Sequence, residues 1–171
     1  MVKYNKLLYL IGGFLFFIAD ATFLTYTCLV QPDLLDRHRV SSISPCVEET
    51  RYNLRDEILK QRLVKAVEVI PVKKTGLKAT DYRNLSKVDL QLLETCIASK
   101  ASCALITDDA SLAYEAKKVK VRVFSTPSFV EHLVKNNLEP KANGTAFLLE
   151  LLESYHRPNK VKAAIEKLKQ I

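Results

Sequence analysis

The stretch Leu105-Ile106-Thr107-Asp108-Asp109-Ala110-Ser111-Leu112 decides how the rest of this chain is read. A short apolar run, Cys103 to Ile106, leads into it, and a helix-like run, Ala110 to Val119, leads out. That is the outline of a strand that ends in an acidic turn and opens a helix. Open α/β sheets bind ligands at the carboxyl ends of their strands. Two adjacent carboxylates at such an end therefore have two readings. Asp is a preferred N-cap, and an Asp pair also suits a hard divalent cation. What separates the two is whether other acids reach the same point.

Working outward, strand-like and helix-like segments alternate. Phe14 to Ile18 reads as a central buried strand with Asp20 just beyond it, and Ala21 to Val30 as a helix closed by Gln31-Pro32-Asp33. Asp36 to Arg39 reads as a polar link and Val40 to Ile43 as a second strand. Ser44-Pro45 is a helix start with Pro in the first turn, and that helix is expected to run towards Leu63. Ala66 to Val72 suits a third strand and residues 73–85 a loop. Ser86 with Asp89 three residues on is a capping-box pattern, followed by Val88, Leu92, Leu93 and Cys96 at core spacing. Val119 to Phe124 alternates apolar and basic residues, as an edge strand does, and Ser125-Thr126-Pro127 opens a helix that fades at Asn136. Alternation of this kind implies an α/β fold around a central parallel sheet of four to five strands with right-handed crossovers. Glu139 to Gly144 reads as a linker to two C-terminal helices, Ala146 to Tyr155 and Pro158 to Gln170, whose apolar stripes must be buried on the main domain or on a partner.

The first residues admit three readings. Lys3 and Lys6, the apolar run Leu7 to Ile18 and Ala19-Asp20-Ala21 make a passable signal peptide. A membrane span over Leu7 to Val30 would bury a carboxylate in lipid. We favour a division at Gly12-Gly13, with 1–13 an apolar appendage, 14–138 the main domain and 139–171 a helical extension; on this reading membrane association is not expected.

The chain has 171 residues, 48% of them hydrophobic, enough for a real core. Net charge is +7 and the isoelectric point about 9.2, which favours a polyanion such as nucleic acid, or an anionic surface. The four cysteines contain no C-x-x-C pair, which argues against a zinc ribbon and fits reduced thiols in a cytoplasmic protein. His38, His132 and His156 have no metal-pair spacing and read as surface or cap residues.

In a parallel sheet the carboxyl ends of the central strands share one rim, so Asp20 and Asp108/Asp109 face one cleft. Glu48 or Glu49 and Asp89 sit near helix starts on that same rim. Like charges brought that close need a counter-charge, and Mg²⁺ or Mn²⁺ with oxygen ligands supplies one.

Four segments then form a pattern. Ile18-Ala19-Asp20-Ala21-Thr22-Phe23-Leu24, Ser44-Pro45-Cys46-Val47-Glu48-Glu49, Leu85 to Leu93, and Ile106-Thr107-Asp108-Asp109-Ala110-Ser111-Leu112 resemble, in order, the four motifs of PIN domains. Thr126-Pro127-Ser128-Phe129-Val130 is similar to the family's last helix start. The resemblance implies a three-layer α/β/α fold and a metal-dependent endoribonuclease. Carried over by motif, Asp20, Glu49, Asp89 and Asp109 are the catalytic acids. Asp20, Asp89, Asp108 and Asp109 hold the metal, and Thr22, Thr107 and Glu48 are auxiliary. Thr50 departs from the pattern, which has an aliphatic residue after the Glu, so Glu48 stays an alternative to Glu49. Arg51 to Leu63 and Leu85 to Leu93 look most like the ribosome-assembly PIN endonucleases, though without their zinc ribbon.

The expected partner is RNA, with Arg51, Arg55, Lys73, Lys74 and Lys78 as phosphate contacts; Arg62 is a further candidate of the same kind. Within the family, a homodimer and a small antitoxin-like protein are the protein partners to consider. A non-catalytic RNA- or protein-binding module is the alternative.

Overall fold

The computed structural model describes residues 16–99 and 103–171. The appendage at 1–13 and its signal or anchor readings lie outside them, as do Phe14 and Leu15 of the expected first strand. Five parallel strands form one sheet in the order β3-β2-β1-β4-β5. They are β1 (Phe16–Ala19), β2 (Ser41–Ile43), β3 (Glu68–Ile70), β4 (Cys103–Ile106) and β5 (Arg122–Phe124). Composition sets each place. β4 is apolar and buried throughout, and β1 nearly so, as strands covered on both faces must be. The edge strands β3 and β5 carry their charged residues into solvent. In β2, which sits between β3 and β1, two buried serines are satisfied: Ser42 Oγ donates to the Ala19 carbonyl at 2.6 Å and Ser41 Oγ to Glu68 at 3.2 Å.

Alternate residues of the central strands feed two cores. Phe17, Ala19, Ala104 and Ile106 face one, and Ile18, Cys103, Leu105 and Ile43 the other. The second core is closed by α5 (Lys87–Ala98) and α6 (Ala110–Lys118). The first is closed by α1 (Ala21–Val30), α7 (Thr126–Lys135), α8 (Lys141–Ser154) and α9 (Pro158–Lys169). The result is a three-layer α/β/α architecture with a C-terminal helical pair. Phe147, Leu148 and Leu151 of α8 and Val161, Ile165 and Leu168 of α9 are buried in the same core as Phe23 and Phe129, so those stripes are spent within the chain rather than left as a face for a second copy.

Several local expectations are corrected. The polar link at Asp36 to Arg39 lies mostly in a short helix, α2 (Asp33–His38), anchored by the fully buried Leu34 and Leu35. The helix from Ser44 is two helices, α3 (Ser44–Asn53) and α4 (Glu57–Ala66). Leu54 turns into the core between them, and Asp56 recaps the chain by accepting from the Ile58 and Leu59 amides. The linker at Glu139 to Gly144 is largely the first turn of α8. His38 is not a surface residue: its ring bonds the buried Glu139 carboxylate at 2.6 Å. Among the described residues no helix is long and apolar enough to cross a membrane.

Candidate functional site

The strand order reverses between β1 and β4, because the chain builds β2 and β3 to one side before returning to place β4 and β5 on the other. The crevice at the carboxyl ends of two such strands is where ligands bind in open α/β sheets. β1 ends at Asp20 and β4 at Thr107-Asp108-Asp109. Asp20 and Asp109 each cap the helix that follows. Asp20 Oδ1 accepts from the Phe23 amide at 2.7 Å, and Asp109 Oδ1 accepts from the Leu112 amide at 2.7 Å. Capping and a shared site are thus not exclusive, since each cap leaves the second carboxylate oxygen for another partner.

Thr107 joins the two. Its hydroxyl donates to Asp20 Oδ2 at 2.5 Å and accepts from the Asp109 amide at 3.0 Å. Asp20 is buried, 4% exposed, and among the described residues no basic group is bonded to it. Burial drives its carboxyl up to about 7 against the bonds from Phe23 and Thr107, and the charges of Asp108 and Asp89 add to the rise. The neighbouring Cys46 thiol reports the same gathering of charge. Burial first, then Asp20, and also Glu49 and Asp89, push it up to about 12.

The remaining expected residues divide. Asp89 is half-buried and its carboxylate closes a capping box, accepting from Ser86 Oγ at 2.7 Å and the Ser86 amide at 3.2 Å. Asp108 is buried and turned away from Asp20's hydroxyl partner, bound instead by the Thr126 amide at 3.0 Å, the Thr126 hydroxyl and the Tyr155 hydroxyl. Burial and the bond to Asp108 hold the Tyr155 phenol well above its usual range. Glu49 is exposed, while Glu48 pairs with Arg51 at 3.3 Å in solvent. Thr50 fills a buried position, its hydroxyl donating to the Cys46 carbonyl at 2.9 Å and reaching the Ala21 carbonyl at 3.3 Å, so it ties α3 to the start of α1. Thr22 is exposed at the rim. Among the described residues no three His, Cys, Asp or Glu side chains stand together in a ready ligand set for one ion.

The basic residues do not all gather at this rim. Lys73 lies near the other end of the sheet: its amide donates to Thr95 Oγ1, and its charge acts on Cys103, the first residue of β4. Thr95 is about 12 Å along α5 from its start, at 1.5 Å per residue. The loop runs there because Glu94 accepts from the Thr75 and Gly76 amides at 2.9 and 3.2 Å. Lys74 and Lys78 are exposed on the same loop, and Arg55 is exposed between α3 and α4. Arg62 is committed to Asp33 and Asp36 of α2.

A cleft of ≈ 290 Å³ opens beside the acids, between Thr22, Asp109 and Ser111 on one side and His156 and Arg157 on the other. The turn between α8 and α9 therefore walls the site. In the sequence this turn is only the gap between two expected helices, Ala146 to Tyr155 and Pro158 to Gln170. No local pattern could have shown otherwise, because the turn is set by Tyr155 on Asp108 and by His156 Nδ1, 3.1 Å from Tyr26 Oη, 130 residues away.

Comparison of the chain with protein-family models, curated proteins and solved structures found no match.

Proposed function

We propose that this chain is a PIN-type, Mg²⁺- or Mn²⁺-dependent endoribonuclease. The observation that carries the reading is the Asp20–Thr107–Asp109 chain at the switch point of a parallel sheet, with a buried carboxylate that has no basic partner among the described residues. The four sequence motifs support it. So does the donor set, which is carboxylate and hydroxyl oxygen, the kind hard divalent cations take. Mg²⁺ keeps several waters and is bound through one or two carboxylates plus substrate phosphates, so a pre-formed cage of three acids is not required.

In this reading Asp20 and Asp109 would hold the ion, with Asp89 and Glu49 adding negative charge around it. A bound divalent ion supplies neutralisation of the scissile phosphate and a water of lowered pKa. The chain's own residues do the positioning. Phe23 N–H and the Thr107 hydroxyl fix the Asp20 carboxylate, and the Leu112 amide fixes Asp109. Asp108, whose oxygens accept from Thr126 and Tyr155, acts as a strut that ties the end of β4 to α7 and to the turn before α9.

That no ready three-acid ligand set stands among the described residues favours one second reading, a non-catalytic RNA-binding module. A calorimetric Mn²⁺ titration separates the two. The nuclease reading expects saturable heat from the wild type and none from Asp20→Asn. A wild type that takes up no Mn²⁺, alone or with RNA, rejects it.

A further inference from the structure

The cleft beside the acids continues. A second hollow of ≈ 200 Å³ lies across the start of α6, lined by Asn84, Tyr114 and Glu115, and the two share Ala110 and Ser111. The groove thus runs from Arg157, past the exposed Ser111, to Tyr114. Its ends differ in chemistry. Arg157 is half-buried at the head of α9 and enters no salt bridge among the described residues. A free guanidinium is a bidentate match for phosphate. Tyr114 is 63% exposed, an unusual setting for a large aromatic, with the Lys118 ammonium 5.3 Å from its ring centroid. Lys118 is itself paired with Glu115 at 2.9 Å, so the free charge lies at the Arg157 end and the exposed ring at the other. These are the two elements of a single-strand platform, in which charge tracks the backbone while bases stack on the ring.

We infer that this groove is a track for single-stranded RNA, in which Arg157 binds a backbone phosphate on one side of the acidic site and Tyr114 stacks an unpaired base on the other. The inference rests on the nuclease reading for its choice of RNA, and it adds what that reading lacks, the path of the strand across the site and the two residues that hold it. The acids at the centre repel a strand when no cation is present. That repulsion is common to wild type and variants and leaves their comparison intact.

The test is fluorescence anisotropy of 5′-fluorescein-labelled rU10 in EDTA, over a salt series, with thermal melts confirming that each variant folds. Arg157→Ala is expected to bind roughly tenfold more weakly and to lower the slope of log affinity against log salt by about 0.7, the value for one phosphate contact on a single strand. Tyr114→Ala is expected to lose roughly tenfold with the slope unchanged. Arg157→Lys should restore the salt slope but only part of the affinity, since it keeps the charge and loses the bidentate fork. Tyr114→Phe should recover most of the loss, and a ten-base-pair RNA duplex should bind the wild type more weakly than rU10. Unchanged affinity in either alanine variant overturns the track, even if the wild type cuts RNA with Mn²⁺, in which case the nuclease reading survives alone. Binding that depends on both residues in a protein that never cuts keeps the track and removes the nuclease reading.

Discussion

The Thr107 hydroxyl donates to Asp20 Oδ2 at 2.5 Å, joining the ends of two adjacent strands across 87 positions of chain. The same oxygen accepts from the Asp109 amide, so one side chain sets the spacing of the two acids most central to the site. Thr107→Val keeps the shape and removes the hydroxyl. It is expected to cost about 1–3 kcal/mol of stability, because buried Asp20 loses a donor and the Asp109 amide an acceptor. Mn²⁺-dependent RNA cleavage should fall at least tenfold, whereas Thr107→Ser should keep both properties near wild type. Denaturant melts and cleavage rates of the two variants decide it.

Tyr155 ties the C-terminal helices to the site through Asp108. Tyr155→Phe should destabilise by about 1–3 kcal/mol, since it removes one donor from a buried carboxylate. In a double-mutant cycle with Asp108→Ala, which removes the acceptor, the two effects should fall well short of adding, because the side chains share one bond. Additive losses in urea melts would show that the contact contributes nothing.

Glu139 fixes the start of α8 to α2. It accepts from His38 at 2.6 Å, Asn143 at 2.9 Å and Arg37 at 3.1 Å. Burial raises its carboxyl, but these bonds outweigh burial and hold it below the usual carboxylate range. Burial also holds the His38 ring below its usual value, against the pull of Glu139. Both groups bind protons more weakly folded than unfolded, so both contribute stability at neutral pH that is lost as pH falls. The loss begins near the ordinary His value of 6.5 and deepens below the ordinary Glu value of 4.5. Glu139→Gln should be less stable than wild type by roughly 2–3 kcal/mol at pH 7, with the gap narrowing by pH 4. A gap that stays constant in melts across this range contradicts the network.

Gly144 lies inside α8 where a Cβ would meet Val134 Cγ2 of α7 at 2.5 Å. Helix propensity alone makes Gly144→Ala favourable by up to about 1 kcal/mol, but Val134 is stiff and buried, so overpacking of about 1–3 kcal/mol should win. Adding Val134→Ala should restore part of the loss, which calorimetric melts of the three variants will show.

What was legible follows from how far each signal travels along the chain. β1 and β4 announce themselves as unbroken apolar runs because both faces are covered, and Asp20 and Asp109 are legible as the residues that end them. α2 was hidden because only Leu34 and Leu35 mark its buried side. The break between α3 and α4 carried a signal, Asp56 before Glu57, that a continuous helical period obscured. Gly144 reads as linker composition, yet its helix needs a glycine because α7 leaves no room for more. Arg157 and the position of Lys73 had no local signature at all. One depends on Tyr155 meeting Asp108, 47 residues away, and the other on Glu94 capturing the loop amides of Thr75 and Gly76.

The most direct measurement is the rate at which purified protein cleaves single-stranded RNA with Mn²⁺, with EDTA, and in the Asp20→Asn/Asp109→Asn double variant. The account predicts cleavage by the wild type with Mn²⁺ only, and none by a double variant whose melt shows it folded, since Asn still caps both helices. Cleavage by the folded double variant at the wild-type rate, or none by the wild type on any RNA with Mn²⁺ or Mg²⁺, would contradict it.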